Sequence, residues 1–215
     1  MIRHQMWSGL VALVFATVSG IPEAGAHPHA WIDLRTTVIV HSDGQITALE
    51  EEWLFDSLYT LLATQGLDED PGSNSKALTE LARTNLSNLR PHGYFINAVV
   101  DGAKAEVAAV TEFETGVRDG RLWLRFLAPL VQPVDPRRQA FAFSVFDPSY
   151  FIEMLHLKDT PIAFRGAGGS ACRGDIQKPR PTAAALSLAA ALDRNAKAPE
   201  SFGELFAEKV TVRCR

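Results

Sequence analysis

The sequence predicts an α+β protein, built mainly from antiparallel β-sheet in a sandwich-like arrangement with helices inserted between the strands. Apolar and polar residues alternate over 31–41 and 45–56, as in strands that are buried on one side. Residues 94–130 contain two Asp-Gly turns, which divide them into a meander of short strands. Between these regions, residues 74–89 place leucines at the spacing of one helical face.

The best-defined element is a hairpin, because its turn and both of its strands agree on one register. Asp43-Gly44 forms the two-residue turn, and a slip of one residue would expose the apolar face of each strand. The register pairs Val40 with Thr47, Val38 with Leu49, Leu34 with Trp53 and Ile32 with Phe55. One acidic residue, Glu51, falls on the same face opposite Thr36, so we expect its carboxyl group to be paired or protonated.

Further helices are predicted from capping residues and apolar spacing. They cover residues 57–65, residues 74–89, a stretch from Thr182 to about Arg194, and residues 201–208. Phe151–His156 is predicted as a helical turn, in which His156 would pair with Glu153. A final strand is predicted over residues 210–214.

Residues 1–26 have the features of a secretory signal peptide. A basic residue precedes an apolar run over 10–18, and Ala24 and Ala26 stand three and one places before His27. We therefore predict cleavage after Ala26 and export to the periplasm.

The mature chain, residues 27–215, is predicted to be a single periplasmic domain, with 131–138 as the boundary if it consists of two subdomains. No segment reaches the roughly 20 apolar residues of a membrane span, so none is predicted in the mature chain. The formal net charge is -4, and no run of Lys and Arg favours nucleic acid as a partner.

The predicted mature terminus places three nitrogen donors close together. They are the α-amine of His27, its imidazole, and the imidazole of His29, a set that suits zinc, copper or nickel. Pro28 has no N–H to deprotonate, so the square-planar chelate through two backbone amides cannot form. The alternative is that both histidines merely lie near a flexible terminus.

Two aspartates are candidates for a carboxylate ligand beside these histidines. The hairpin register puts His29 one diagonal step from Asp56, a gap that two side chains can close around a metal ion. Asp147 likewise follows a predicted strand. For both residues, capping of a following helix is an equally good interpretation. His41 lies at the opposite end of the hairpin and is not expected to join the site.

The chain contains two cysteines, Cys172 and Cys214. In an exported protein such a pair favours a disulfide, which would close a loop of roughly 43 residues and contribute about 4 kcal/mol in the chain-entropy model. The alternative is a pair of thiolate metal ligands. Neither cysteine has a second Cys or His at C-x-x-C spacing, so the disulfide is favoured.

Several segments together resemble the DUF1007 family of exported bacterial proteins of unknown function, whose members are often described as periplasmic components of uncharacterised ABC-type transport systems. The resemblance rests on His27-Pro-His-Ala-Trp-Ile-Asp33, Glu52-Trp-Leu-Phe-Asp56, Asn85-Leu-Ser-Asn-Leu89, Gly93-Tyr-Phe95, Phe146-Asp-Pro-Ser-Tyr-Phe-Ile152 and the two cysteines. It covers essentially the whole mature chain. It implies an association with divalent-metal transport, and hence an inner-membrane metal transporter as a partner.

The expected function is that of a periplasmic divalent-metal-binding protein serving metal transport or homeostasis. The sequence has no nucleophile elbow, phosphate loop or H-E-x-x-H motif. It also offers no exposed aromatic platform for a substrate, and for that reason a binding protein is favoured over an enzyme. Two alternatives stay open. One is a copper-dependent redox enzyme whose metal is held by the N-terminal His27, and the other is a metal-free scaffold that binds a partner protein.

Overall fold

The computed structural model describes residues 27–67, 75–158, 162–192 and 198–215. These residues form two mainly antiparallel sheets with three α-helices, which confirms the α+β class. The predicted signal peptide lies outside the described residues. Within them, no helix is both long enough and apolar enough to span a membrane.

The strands, in chain order, are β1 Ala30–Val40, β2 Ile46–Phe55, β3 Ile96–Val100, β4 Ala103–Ala105, β5 Phe113–Arg118, β6 Arg121–Val134, β7 Phe141–Val145, β8 Ile152–His156, β9 Ala163–Arg165, β10 Cys172–Gln177 and β11 Lys209–Cys214. The α-helices are α1 Ser57–Ala63, α2 Lys76–Leu89 and α3 Ala183–Ala191, and the 3₁₀ helices are Arg90–Phe95, Gly169–Ala171 and Phe202–Phe206.

The first sheet has the order β5-β6-β2-β1-β8, and β9 also pairs with β1. Strands β8 and β9 run parallel to β1, whereas the other pairs of this sheet are antiparallel. The second sheet is antiparallel throughout, in the order β10-β11-β7-β3-β4. Inward-facing residues of both sheets form one main core, as expected for a sandwich.

The predicted hairpin register is confirmed along most of its length. Leu34 pairs with Trp53, Val38 with Leu49 and Ile32 with Phe55. Near the turn the register shifts between Ile39 and Val40, so Val40 faces Ile46 instead of the predicted Thr47. An irregularity of this kind inserts an unpaired residue into one strand, and period-two patterning alone cannot reveal it.

The prediction of a helical turn over Phe151–His156 is wrong. Residues Ile152–His156 form β8, which pairs with β1 from Ala30 to Leu34. A short apolar segment is compatible with either structure, and here the backbone groups of β1 supply the hydrogen bonds of a strand. His156 consequently does not pair with Glu153, whose side chain accepts a hydrogen bond from the hydroxyl of Tyr150.

The predicted disulfide is confirmed. Cys172 and Cys214 lie directly opposite each other in the β10–β11 pair, with Cα atoms 4.0 Å apart, and form a disulfide bond. The bond ties β10, the edge strand of the second sheet, to its neighbour β11.

A second, smaller apolar cluster lies outside the main core. It joins α3 to the 3₁₀ helix Phe202–Phe206 and to the turn between β7 and β8, and its buried members are Tyr150, Ala185, Ala189, Leu192, Phe202 and Phe206. Tyr150 stacks on Phe206 with ring centroids 3.8 Å apart. This cluster holds α3 and the turn between β7 and β8, which are the two segments that contact the candidate site described next.

Candidate functional site

His29 lies immediately before β1 and is held by the edge of the sheet. Its backbone N–H donates to the carbonyl of Phe151 at 2.8 Å, which extends the β1–β8 pairing by one residue. The pairing also places the rings of the two residues against each other, with centroids 4.8 Å apart. The position of His29 is therefore set by strand pairing and not by a free terminus.

His27 is held from the opposite side by α3. Its backbone nitrogen lies 3.3 Å from the carbonyl oxygen of Ala189, in the last turn of that helix. The residue is only 8% exposed. Carbonyl groups at the C-terminal end of a helix carry partial negative charge and favour a positively charged donor such as an α-ammonium group.

The two histidine rings converge beside Phe151. Their centroids are 4.8 Å apart, and the ring of His27 meets that of Phe151 edge-on at 5.8 Å. A metal ion bound at 2.0–2.1 Å by an imidazole nitrogen lies roughly 3 Å from the ring centroid, so both rings can reach one ion.

One imidazole nitrogen at this site lacks a hydrogen-bond partner among the described residues. The Nδ1 atom of His27 is buried and has no hydrogen-bond partner among the described residues. A buried polar atom without a partner ordinarily costs about 1–3 kcal/mol. Nδ1 is also the imidazole nitrogen nearest to the backbone nitrogen of the same residue, so the two can chelate one ion. The residues therefore fit a metal ion.

Asp147 shapes the turn that delivers Phe151 to the site. Its carboxylate accepts hydrogen bonds from the backbone N–H groups of Ser149 at 2.9 Å and Ile152 at 3.0 Å, and from the Ser149 hydroxyl. The turn packs closely against the 3₁₀ helix Phe202–Phe206, where a Cβ at Gly203 would overlap the carbonyl oxygen of Asp147. Asp147 thus has a clear structural role in its turn.

Asp56 caps helix α1, which is one of the two roles predicted for this residue from the sequence. One carboxylate oxygen accepts from the Tyr59 N–H at 2.8 Å, and the other accepts from the Trp31 N–H at 2.9 Å. In the described part of the chain, no three His, Cys, Asp or Glu side chains lie close enough to hold one metal ion. The structure thus brings His27 and His29 together without a carboxylate as a third side-chain ligand.

The other histidines of the described residues lie elsewhere. His41 is exposed at the far end of β1, where its Nδ1 atom lies 3.2 Å from a carboxylate oxygen of Asp43. His92 is exposed in the 3₁₀ helix that follows α2. His156 is buried at the end of β8, where it contacts Glu208.

Comparison with known proteins places the chain in a family. The sequence model of the family described as "Protein of unknown function (DUF1007)" matches residues 11–214. The chain belongs to this family. The DUF1007 resemblance inferred from the motifs is therefore confirmed.

Two relatives of this DUF1007 protein are themselves uncharacterised. A protein of Haemophilus influenzae named "Uncharacterized protein" is 24% identical over 195 residues, which cover 88% of this chain and 91% of the relative. A Spirochaeta aurantia protein named "Uncharacterized 15.5 kDa protein in trpE 3'region" is 29% identical over 107 residues, covering 48% of this chain and 76% of the relative. Neither name states a function.

Sequence reasoning identified the two histidines but missed the groups that surround them in the DUF1007 chain. Phe151 was predicted in a helical turn, and Ala189 carried no chemical signal at all. Both come from segments more than 120 residues away from His27 in the sequence. Only the pairing of β8 with β1 and the packing of α3 bring them to the site.

The capping role of Asp56 leads to a stability prediction. Asp56→Ala removes the cap of α1 and the tether to Trp31, and we expect it to lower the free energy of unfolding by about 1–2 kcal/mol. Asp56→Ser keeps a side-chain acceptor for the Tyr59 N–H and should recover a large part of that loss. Urea denaturation of the three proteins measures the effect, and equal midpoints for all three would contradict the capping role.

Proposed function

We propose that the mature protein binds one divalent transition-metal ion, zinc, copper or nickel, through His27 and His29, and that it serves metal transport or homeostasis in the periplasm. The ligands would be the α-amine and Nδ1 of His27 together with the imidazole of His29. The proposal requires cleavage after Ala26, because only then does His27 carry a free amine.

The observation that carries this proposal is the buried Nδ1 of His27, which has no hydrogen-bond partner among the described residues. A metal ion would satisfy that nitrogen. Histidine nitrogens of this kind are ordinary ligands for zinc, copper and nickel. The centroid of the neighbouring His29 ring lies 4.8 Å from that of His27, and this spacing supports the proposal that a second imidazole would bind the same ion.

The contact between His27 and α3 is compatible with metal binding. An amine that binds a metal through its lone pair still carries two N–H bonds, and one of them can continue to donate to the carbonyl of Ala189. The helix would therefore orient the amine in both the metal-free and the metal-bound protein. A carboxylate ligand from Asp56 or Asp147 would instead have to give up hydrogen bonds to backbone N–H groups.

Three nitrogen donors leave at least one coordination position of the metal for another ligand. Such a position suits delivery, because an accepting protein can bind the ion before these histidines release it. An inner-membrane metal transporter is the partner that we propose for this exchange.

A copper-dependent redox enzyme is the second candidate, and one observation favours it. No exposed aromatic platform was identified from the sequence, but Phe151 is 37% exposed and contacts both histidine rings. An aromatic surface of this kind beside an open metal position could hold a substrate. Copper binding accompanied by turnover of a reductant and oxygen would favour this candidate over delivery.

Calorimetric titration with Cu(II), Zn(II) and Ni(II) tests the proposed site. The reference is untagged protein whose first residue is His27, and its variants are His29→Ala, His41→Ala and a form that retains Met before His27. We expect His29→Ala and the Met-extended form to bind at least one metal about tenfold more weakly or worse, a loss of about 1.4 kcal/mol in binding free energy. His41→Ala should match the reference.

The pH dependence gives a second readout on the same samples. Binding should weaken as the pH falls, because protons compete for the same nitrogen lone pairs. His41→Ala is the matched control, since it removes an exposed imidazole from the same strand at its far end. Equal affinity of all four proteins for every metal would mean that the terminal histidines are not the site.

A further inference from the structure

A chain of four hydrogen-bonded side chains runs from the main core to the lining of a groove, away from the histidine site. Both carboxyl oxygens of Glu51 lie 3.0–3.1 Å from the hydroxyl oxygen of Thr36, which in turn lies 3.1 Å from Nε2 of His156. The Nδ1 atom of His156 lies 2.9 Å from Glu208. Glu208 also accepts the backbone N–H of His156 at 2.8 Å.

The inner end of this hydrogen-bonded series, at Glu51 and Thr36, is buried. Glu51 is 0% exposed and Thr36 is 2% exposed. The alternation of β2 places Glu51 on the core side, with Thr36 opposite on β1 and Phe126 opposite on β6. Burial raises the pKa of Glu51 to about 8, although the hydrogen bond with Thr36 opposes the shift. At neutral pH the carboxyl group is therefore protonated.

At the outer end of this hydrogen-bonded series, the carboxylate of Glu208 carries the negative charge. Burial alone would raise the pKa of Glu208, but the hydrogen bonds from His156 and the charge interactions with His156 and Lys178 together lower that pKa below its ordinary value. An anionic Glu208 requires a proton on Nδ1 of His156, so in the neutral imidazole Nε2 is an acceptor. The hydroxyl of Thr36 donates to the Glu51 carboxyl group, and when Glu51 holds its proton this hydroxyl can turn to donate to Nε2 and accept from Glu51 instead.

In this arrangement every hydrogen-bonding group of the four side chains has a partner. Each donor points outward, from Glu51 toward Glu208. A proton can leave Glu51 in a single concerted transfer. The Glu51 O–H bond breaks as its proton bonds to the Thr36 oxygen, and the original Thr36 proton bonds to Nε2 of His156. The products are a Glu51 carboxylate and an imidazolium, so the total charge is unchanged. The imidazolium then gives its Nδ1 proton to the Glu208 carboxylate, which releases it to water in the groove, and the reverse steps return a proton to Glu51.

Thr36, His156 and Glu208 have the connectivity of a nucleophile, base and acid, but their burial excludes that role. The hydroxyl of Thr36 lies in the middle of β1, and the side chain of His156 is only 3% exposed. A substrate cannot reach the threonine oxygen without separating β1 from its neighbours. A proton, by contrast, needs only the existing hydrogen bonds.

The outer end of the chain opens onto a groove of about 970 Å³. His156 and Glu208 contribute to its lining, and the charged groups that share it are Asp33, Lys158, Asp175 and Lys178. Lys178 also lowers the pKa of Glu208, as the last and smallest contribution after burial and the His156 bonds. Water or a ligand in this groove can therefore exchange protons with the outer end.

We propose that Glu51, Thr36, His156 and Glu208 form a proton relay, which stores one proton in the core and exchanges it with the groove through Thr36 and His156. The relay also links the two sheets, because His156 ends β8 of the first sheet and Glu208 directly precedes β11 of the second. It is independent of any metal at His27 and His29.

Infrared spectroscopy of the whole mature protein tests the relay. A protonated carboxyl group gives a C=O band that moves when its proton is exchanged for deuterium. We expect such a band in the native protein at neutral pH and its loss in Glu51→Gln. After a rapid rise in pH to above 8, Thr36→Val should slow the disappearance of this band about tenfold or more, an increase of about 1.4 kcal/mol in the barrier.

Thr36→Ser is the matched control, because it keeps the hydroxyl and should lose the band at the native rate. Nitrogen NMR of His156 supplies a measurement that does not depend on Thr36→Val folding correctly: the native protein and Glu51→Gln should both carry the neutral-ring proton on Nδ1. The relay is refuted if no carboxyl band depends on Glu51, if Thr36→Val loses the band as fast as Thr36→Ser after the rise in pH, or if the proton of the neutral ring lies on Nε2.

Discussion

The protein should lose free energy of unfolding as the pH rises from about 5 to about 8, and Glu51→Gln should remove that loss. The pKa of Glu51 is about 8 in the folded protein and 4.5 in its ordinary environment. Between these values the folded state holds a proton that the unfolded state has released, so a rise in pH favours unfolding. The shift corresponds to a loss of up to about 5 kcal/mol.

Denaturant unfolding at several pH values measures this effect. Glutamine resembles the protonated carboxyl in shape, keeps a donor toward Thr36 and does not titrate, so its variant should have a flatter profile. The matched control is Glu52→Gln, which lies on the other face of β2 and pairs with Arg118. It should retain the native slope. A native profile without a decline between pH 5 and pH 8 would show that Glu51 is not a buried neutral acid.

Replacing both cysteines by alanine should lower the free energy of unfolding by about 2–4 kcal/mol. The disulfide joins residues 42 positions apart in the chain and restricts the unfolded state accordingly. Strand β10 pairs only with β11 in the described part of the second sheet, so the loss should be concentrated at this edge. Hydrogen exchange should show faster opening of β10 than of β7.

Native protein kept under reducing conditions is the control and should behave like the double alanine variant. Metal affinity should be unchanged in both, because the cysteines lie on β10 and β11 and the candidate ligands precede β1. Complete reaction of the native protein with a thiol reagent before reduction would contradict the bond.

The local pattern of apolar and polar residues was sufficient to predict an element when one of its faces is buried and the other is exposed to solvent. The β1–β2 register follows from alternation and a single Asp-Gly turn, and α2 follows from its leucine spacing. Patterning failed for β8, a five-residue segment whose strand conformation depends on pairing with β1, far away in the sequence. Periodicity in a segment this short does not separate a strand from a helical turn.

The same distinction between local sequence properties and long-range packing applies to the candidate site. The sequence by itself supplied the nitrogen donors of His27 and His29, because residue chemistry and nearness to a predicted cleavage site are local properties. It also marked Glu51 as an acid that needs a partner or a proton. Only the tertiary structure brought Ala189 and Phe151 to the histidines, and only it connected Glu51 to Glu208. The contacts of His27 with Ala189, of His29 with Phe151 and of Thr36 with His156 join residues more than 100 positions apart, and no local rule encodes which distant segments pack together.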